Sequence, residues 1–60
     1  MSVLRNLSAR CLDINSDRPV VPHKVDFEYN DSGVWVAKSE NVMATDPQDA
    51  IGYIRKIYGD

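Results

Sequence analysis

The sequence lacks the covalent and metal-based supports on which many small proteins depend. Its 60 residues include one cysteine, Cys11, so no disulfide can form within a chain. A lone cysteine also argues against a secreted, disulfide-stabilised scaffold. The only histidine is His23, and together these two side chains fall short of the four ligands of a structural zinc site. We therefore expect neither a metal nor a cofactor.

Long hydrophobic stretches and clusters of one charge are missing as well. No segment approaches the roughly 20 apolar residues that cross a bilayer, and the first residues lack the basic start and apolar run of a signal peptide. The net charge is −2, and the only adjacent basic pair is Arg55 and Lys56. Nucleic-acid binding depends on clustered cations. These absences predict a cytoplasmic protein that binds neither a membrane nor nucleic acid directly.

The length of the chain predicts one small domain, residues 1–60, near the lower limit for independent folding. At this size the stabilisation from apolar burial roughly equals the cost of ordering the chain. Small proteins without disulfides or metals commonly gain the missing stability by association. A protein partner or a homodimer is therefore expected.

Alternation of apolar and polar residues is clearest in residues 21–29 and predicts a half-buried strand. Residues 30–33 are rich in turn formers, and Gly33 can adopt a positive φ. Residues 34–38 are β-branched and aromatic, so the two runs predict an antiparallel hairpin. Residues 39–41 are interpreted as a second turn, followed by a short third strand at residues 42–45.

A C-terminal helix is predicted from its capping residues and its apolar stripe. Asp46 is a suitable N-cap and Pro47 suits the first helical position, while Gly59 suits the C-terminal end. The stripe consists of Ala50, Ile51, Ile54, Ile57 and Tyr58. We expect Ile51, Ile54 and Ile57 to cover the apolar side of the sheet.

The first 18 residues form an N-terminal extension whose structure the sequence leaves open. Leu4, Leu7, Cys11 and Ile14 have the spacing of an amphipathic helix, but residues 3–14 could equally form a strand. Residues 20–60 are predicted to form a β-β-β-α unit. The predicted fold is therefore α+β, a three-stranded antiparallel meander with one helix packed on one face. The other face stays poorly covered unless the N-terminal segment or a second molecule lies on it.

Catalytic chemistry finds little support in the sequence. His23 lies on the apolar side of the first predicted strand, with no carboxylate or nucleophile recognisably placed beside it. Cys11 lacks basic neighbours that would favour its thiolate, so a buried apolar role fits it better. We predict no catalytic residues, and a protein that is not an enzyme.

Three aromatic residues are candidates for an interface with another molecule. Trp35 has the opposite parity to Val34 and Val36, so it lies either under the helix or on the other face of the sheet. Tryptophan and tyrosine are frequent anchors of protein–protein interfaces. The candidate interface residues are Trp35, Tyr29 and Tyr53.

Residues 24–57 resemble HicB-like antitoxin domains. Gly33, Trp35 and Ala37 match the G-x-W/Y-x-A pattern of the opening hairpin in that family, and residues 41–51 are similar to its third strand and its T-x-x-E-A-L helix start. The resemblance implies a truncated RNase H-like sheet with a helix that binds and neutralises a small RNA-cleaving toxin without cleaving RNA itself. The Pro-Gly-like segment that usually precedes the third strand of the family has no counterpart here, and residues 1–18 are not explained by its pattern.

The function predicted first is therefore a non-catalytic protein-binding module that sequesters a partner such as a toxin nuclease. One alternative is a small phage- or prophage-encoded inhibitor of a host enzyme or defence complex. A second alternative is a structural homodimer whose N-terminal segments pair or exchange.

Overall fold

The computed structural model describes residues 3–15 and 17–59, which form one antiparallel sheet and one helix. Their bounds are β1 (Leu4–Cys11), β2 (Val21–Asp31), β3 (Val34–Ala44) and α1 (Pro47–Tyr58). The strand order is β1-β2-β3, and both pairings are antiparallel. The predicted α+β fold, with three antiparallel strands and a C-terminal helix on one face, is confirmed. Within the described ranges, no helix is long and apolar enough to cross a membrane.

The third strand of the sheet is not the one that the sequence pattern predicted. β3 runs without a break through residues 39–41, so the predicted turn there and the separate strand at residues 42–45 are wrong. These residues pair with β2 throughout, with Ser39 opposite Asp26. Polar residues with weak strand preference hold the extended form because the ladder with β2 satisfies the backbone, and such context outweighs local preference.

The N-terminal segment supplies the missing strand, which settles the choice between helix and strand for most of residues 3–14. β1 pairs with β2 from Leu4 to Cys11, but its register shifts between Arg5 and Ser8. Two residues of β1 there face a single residue of β2, and Asn6 adopts a φ of 55°. This is a β-bulge, and it reverses the parity of the strand. Residues on both sides of the bulge therefore direct their apolar side chains to the same face.

The hairpin between β2 and β3 is closed by a two-residue turn. Ser32 and Gly33 both have positive φ, 54° and 92°, which is the conformation of a type I′ turn and matches the twist of the strands. The Gly33 N–H donates to Oδ1 of Asn30 over 2.7 Å. Asp31 and Val34 therefore form the last pair of the ladder before the turn.

Helix α1 begins and ends with the predicted caps. Oδ1 of Asp46 accepts a hydrogen bond from the Asp49 N–H over 2.7 Å, and Oδ2 of Asp49 accepts one from the Thr45 N–H over 3.0 Å. The first bond satisfies an N–H group of the first helical turn that has no partner within the helix, and the second holds the residue that precedes the cap. At the other end, Gly59 has a φ of 80° and its N–H donates to the Arg55 carbonyl.

The core lies between α1 and one face of the sheet. Its buried members are Leu4, Val25, Phe27, Ala44, Ala50 and Ile54. The predicted core position of Ile57 is wrong, because this side chain is 65% exposed. The inner position in the last turn belongs to Tyr58, whose ring lies 5.2 Å from the ring of Phe27, and Ile57 stands about 100° away from Tyr58 around the helix.

Candidate binding face of the sheet

One face of the sheet is not covered by α1, and we name it the open face. Val25 and Phe27 of β2 are buried under the helix, so Asp26 and Glu28 beside them point to the other side. The open face carries Arg5, Asn6, Ser8 and Arg10 from β1, Lys24, Asp26 and Glu28 from β2, and Trp35, Ala37, Ser39, Asn41 and Met43 from β3. Strand β1 lies at the edge of the sheet and does not cover this face. Because the face is largely polar, water can solvate it without a covering element.

Trp35 is the only aromatic residue that the strand registers place on the open face. It pairs with Asn30, whose parity is opposite to that of the buried residues of β2. The guanidinium carbon of Arg5 lies 4.2 Å from the centre of the indole ring, a cation–π arrangement. Arg5 Nε also donates to Oε1 of Glu28 over 2.8 Å. The sheet therefore presents a half-buried tryptophan whose ring lies against a charged side chain on this face.

A shallow groove of about 380 Å³ lies in the middle of the open face, and Trp35 stands two residues along β3 from Ala37, which lines it. It is lined by Asn6, Asp26, Phe27, Glu28, Ala37, Lys38 and Ser39. Phe27 and Lys38 pair with each other in the ladder and belong to the helix side of the sheet, so the side chains of the open face that line the groove are those of the other five residues. Ala37 stands directly opposite Glu28 in the ladder, so its small methyl group leaves space where a larger side chain would fill the surface. The bulge of β1 turns Asn6 toward the groove, where its amide reaches Glu28.

The two carboxylates are held in place by neighbours but keep capacity to accept further hydrogen bonds. Oε1 of Glu28 accepts from Arg5 and from Asn6 Nδ2, the latter over 2.6 Å. Oδ1 of Asp26 accepts from the Ser39 hydroxyl. A carboxylate has about four acceptor positions over its two oxygens. The groove is therefore suited to a group that donates several N–H bonds, such as a guanidinium or an ammonium.

The ionised state of Glu28 is favoured by this arrangement. The hydrogen bond from Arg5, and then that from Asn6, hold the pKa of the Glu28 carboxyl below its ordinary value. A lowered folded-state pKa contributes stability above the unfolded pKa, and that contribution is lost as the pH falls through the folded pKa.

We expect Arg5→Gln to raise the pKa of Glu28 toward that of a free glutamate, because the main stabilising donor is lost. The side-chain carboxyl carbon of Glu28, followed by NMR during an acid titration, measures this directly. Arg10→Gln on the same strand removes the same charge without contacting Glu28 and is the matched control. An unchanged titration in Arg5→Gln would contradict the described contact.

The other two candidate interface residues lie elsewhere. Tyr29 is on the helix side of the sheet and stacks on Tyr58 with ring centres 5.6 Å apart. Tyr53 is on α1 and is 44% exposed. Trp35, Tyr29 and Tyr53 therefore do not share one surface, and of the three only Trp35 lies on the open face, two residues from Ala37 of the groove.

His23 and Cys11 face each other across β1 and β2 at the far end of the sheet. His23 is only 1% exposed, and its Nδ1 lies 2.9 Å from the Val21 carbonyl. A carbonyl oxygen only accepts, so Nδ1 carries the proton in this contact. Among the described residues, no group of three or more His, Cys, Asp or Glu side chains is placed to hold a metal ion. The His23 contact ties the ring to its own strand.

Comparison with known protein families, characterised proteins and solved structures found no match. The resemblance of residues 24–57 to HicB-like antitoxin domains stays a prediction. The structure adds polar residues that the sequence pattern did not single out, namely Arg5, Asn6, Asp26, Glu28 and Ser39. The strict alternation of β2 was a signal for Asp26 and Glu28, because it places both opposite the buried side chains. Arg5 and Asn6 had no such signal, since their placement depends on the bulge.

Proposed function

We propose that this protein is a non-catalytic binding module that captures a basic protein surface on its open face. The observation that supports this most is the placement of Trp35 beside a groove lined by two carboxylates. An aromatic anchor next to acceptors for charged donors is a common core of protein–protein interfaces. The binding group is a lysine or arginine side chain of the partner that enters the groove while apolar partner atoms pack on the indole.

A toxin nuclease is the partner class that this chemistry and the family resemblance favour together. An enzyme that cleaves RNA must attract phosphates, so its substrate-binding surface carries lysine and arginine residues. A protein of net charge −2 with carboxylates at the centre of a binding face can occupy such a surface. Occupation alone would block RNA from reaching the nuclease, and no catalytic residue is required.

Trp35→Ala should weaken the complex with the partner by roughly 30-fold or more, as expected for an interface anchor worth about 2 kcal/mol. The partner is first recovered from the native host with the full chain as bait, then purified, and the dissociation constant is measured by calorimetry. Asp26→Asn and Glu28→Gln should each weaken binding and reduce its dependence on salt.

Tyr53→Ala is the matched control, because it removes an exposed aromatic side chain from the helix and leaves the open face intact. We expect it to bind the partner as tightly as the unmodified chain does. Loss of binding in Tyr53→Ala, with Trp35→Ala unaffected, would place the interface on the helix and overturn the proposal. Recovery of no protein partner under gentle conditions would also count against it.

A further inference from the structure

The two edges of the sheet differ in how well they are protected against pairing with another strand. β3 is an edge strand of 11 residues that contains no proline, and its pairing with β2 shows no register shift. Edge strands of stable monomers are usually short, bulged, charged or interrupted by proline. The opposite edge, β1, has such a bulge at Asn6. β3 does carry two charged side chains, Lys38 and Glu40, but they are of opposite sign and can therefore pair with those of a second copy. Of the described strands, β3 is the one suited to accept a neighbour.

The backbone of β3 also has a regular set of groups directed away from the sheet. The two-residue turn makes Asp31 and Val34 a hydrogen-bonded pair, and such pairs alternate along an antiparallel ladder. The N–H and C=O groups of the odd-numbered residues from Trp35 to Met43 therefore point away from β2. They can form a second ladder without disturbing the first.

We propose that β3 pairs with β3 of a second copy of this chain, antiparallel, around a two-fold axis at Ser39. This pairing makes one continuous sheet of six strands, with both helices on the same side. Ser39 is the midpoint of Val34–Ala44, so all eleven residues of each strand are paired. The inference does not depend on the proposed function.

The side chains of β3 are complementary to themselves in this register. On the helix side, Val34 meets Ala44, Val36 meets Val42, and Lys38 meets Glu40 of the other copy. On the open face, Trp35 meets Met43, Ala37 meets Asn41, and Ser39 meets Ser39 of the other copy. The Lys38 and Glu40 contact occurs twice because of the symmetry. Apolar and opposite-charge pairs directly across strands are stabilising.

Neighbouring registers lack this complementarity. Both helices lie on the same side of a continuous sheet only if the two-fold axis passes through a residue. Moving the axis by one residue shifts the strand pairing by two residues, which keeps each side chain on its own face. An axis at Lys38 places two lysines opposite each other, and an axis at Glu40 places two glutamates opposite each other. An axis at Ala37 or at Asn41, two residues from Ser39, places Lys38 and Glu40 opposite apolar side chains. Only the axis at Ser39 pairs every charge on the helix side with its opposite.

The two charged residues are already positioned within each chain. Tyr58 donates its hydroxyl proton to Oε2 of Glu40 over 2.8 Å, and Lys38 Nζ lies 5.9 Å from the centre of the Tyr58 ring. Both side chains are therefore held at the outer edge of the helix side, where the second copy would meet them. Oε1 of Glu40 can accept a hydrogen bond from the Lys38 ammonium group of the second copy.

Charge exchange at these two positions tests both the dimer and its register. The unmodified chain should sediment with about twice the 6.8 kDa mass of one chain at concentrations of tens of micromolar. Lys38→Glu alone and Glu40→Lys alone should each raise the dimer dissociation constant by roughly 30- to 100-fold, because two attractive pairs become two repulsive pairs. An equimolar mixture of the two variants should form a heterodimer, since every glutamate then faces a lysine.

Lys24→Glu is the matched control, because it makes the same change in charge on a different strand and should leave the dimer intact. A monomeric unmodified chain at several hundred micromolar overturns the proposal. So does a mixture of the two variants that stays monomeric while the unmodified chain dimerises, because the contact then lies on another surface. Circular dichroism confirms that each variant is folded.

A cross-link at the axis gives a second test that leaves Lys38 and Glu40 unchanged. With Cys11 replaced by serine, Ser39→Cys should form a disulfide-linked dimer under mild copper-catalysed oxidation by air, because the two sulfur atoms face each other. Ala37→Cys should not, since the two positions are four residues apart in this register, a separation of about 13 Å. Equal cross-linking of both variants, or of neither, contradicts the register.

Discussion

Ile54→Ala is expected to lower the free energy of unfolding by about 3 kcal/mol, whereas Ile57→Ala is expected to change it by less than about 1 kcal/mol. The two residues are the same type on the same helix, but Ile54 is fully buried and Ile57 is 65% exposed. Truncation of Ile54 leaves a cavity between α1 and the sheet, which adds to the loss of apolar burial. Alanine at position 57 loses little contact and has a higher helix propensity than isoleucine.

The effect of Ile54→Ala is large relative to the whole stability of the chain. A protein of 60 residues is expected to have a free energy of unfolding of about 3–9 kcal/mol, so this one change would remove about a third of it or more. Urea denaturation followed by circular dichroism at low micromolar concentration measures both variants. Equal destabilisation by the two substitutions would mean that the helix is rotated from the described orientation.

Helical spacing alone could not have separated these two isoleucines. Ala50, Ile51, Ile54, Ile57 and Tyr58 form one stripe on a helical projection, and any of them could have been central. The choice is made by the sheet, because the ring of Tyr58 packs on Phe27 and occupies the inner position of the last turn. The packing partner, rather than the periodicity, decides which side chain is buried.

The N-terminal strand shows a second limit of pattern recognition. The spacing of Leu4, Leu7 and Cys11 suits a helix because the bulge at Asn6 inserts one residue into a strand of period two. The strand β2 could be predicted because no bulge interrupts its alternation of apolar and polar residues in the pairing with β3. The hairpin, the helix caps and the fold class could be predicted because each depends on local chemistry. The groove could not, because it combines residues of all three strands.

The predicted need for a cover over the second sheet face also has to be revised. The sequence pattern predicts that the N-terminal segment or a second molecule covers this face, but the residues of the face are mainly polar and α1 covers the apolar face of the sheet. The open face therefore needs no apolar cover to be stable in water. The feature that supports a binding role is Trp35, a large aromatic residue on a face that is otherwise mainly polar.

Phe27→Ala and Trp35→Ala should differ strongly in their effect on folding, although each removes an aromatic ring from the sheet. Phe27 is 3% exposed in the core and packs on Tyr58, so its loss should cost about 3–5 kcal/mol. Trp35 is half-buried on the open face and its described ring contact is with Arg5. An exposed cation–π contact contributes about 0.5–1 kcal/mol, and we expect Trp35→Ala to cost about that much.

Thermal and urea unfolding of the two variants, at a concentration low enough to keep the chain monomeric, measure this difference. Trp35→Leu provides the matched control, because it keeps an apolar side chain on the open face while removing the aromatic ring. A small effect of Trp35→Ala on stability, combined with a large effect on partner binding, would assign the indole to recognition. If Trp35→Ala were as destabilising as Phe27→Ala, the tryptophan would be a structural residue. The main observation that supports an interface on the open face would then be lost.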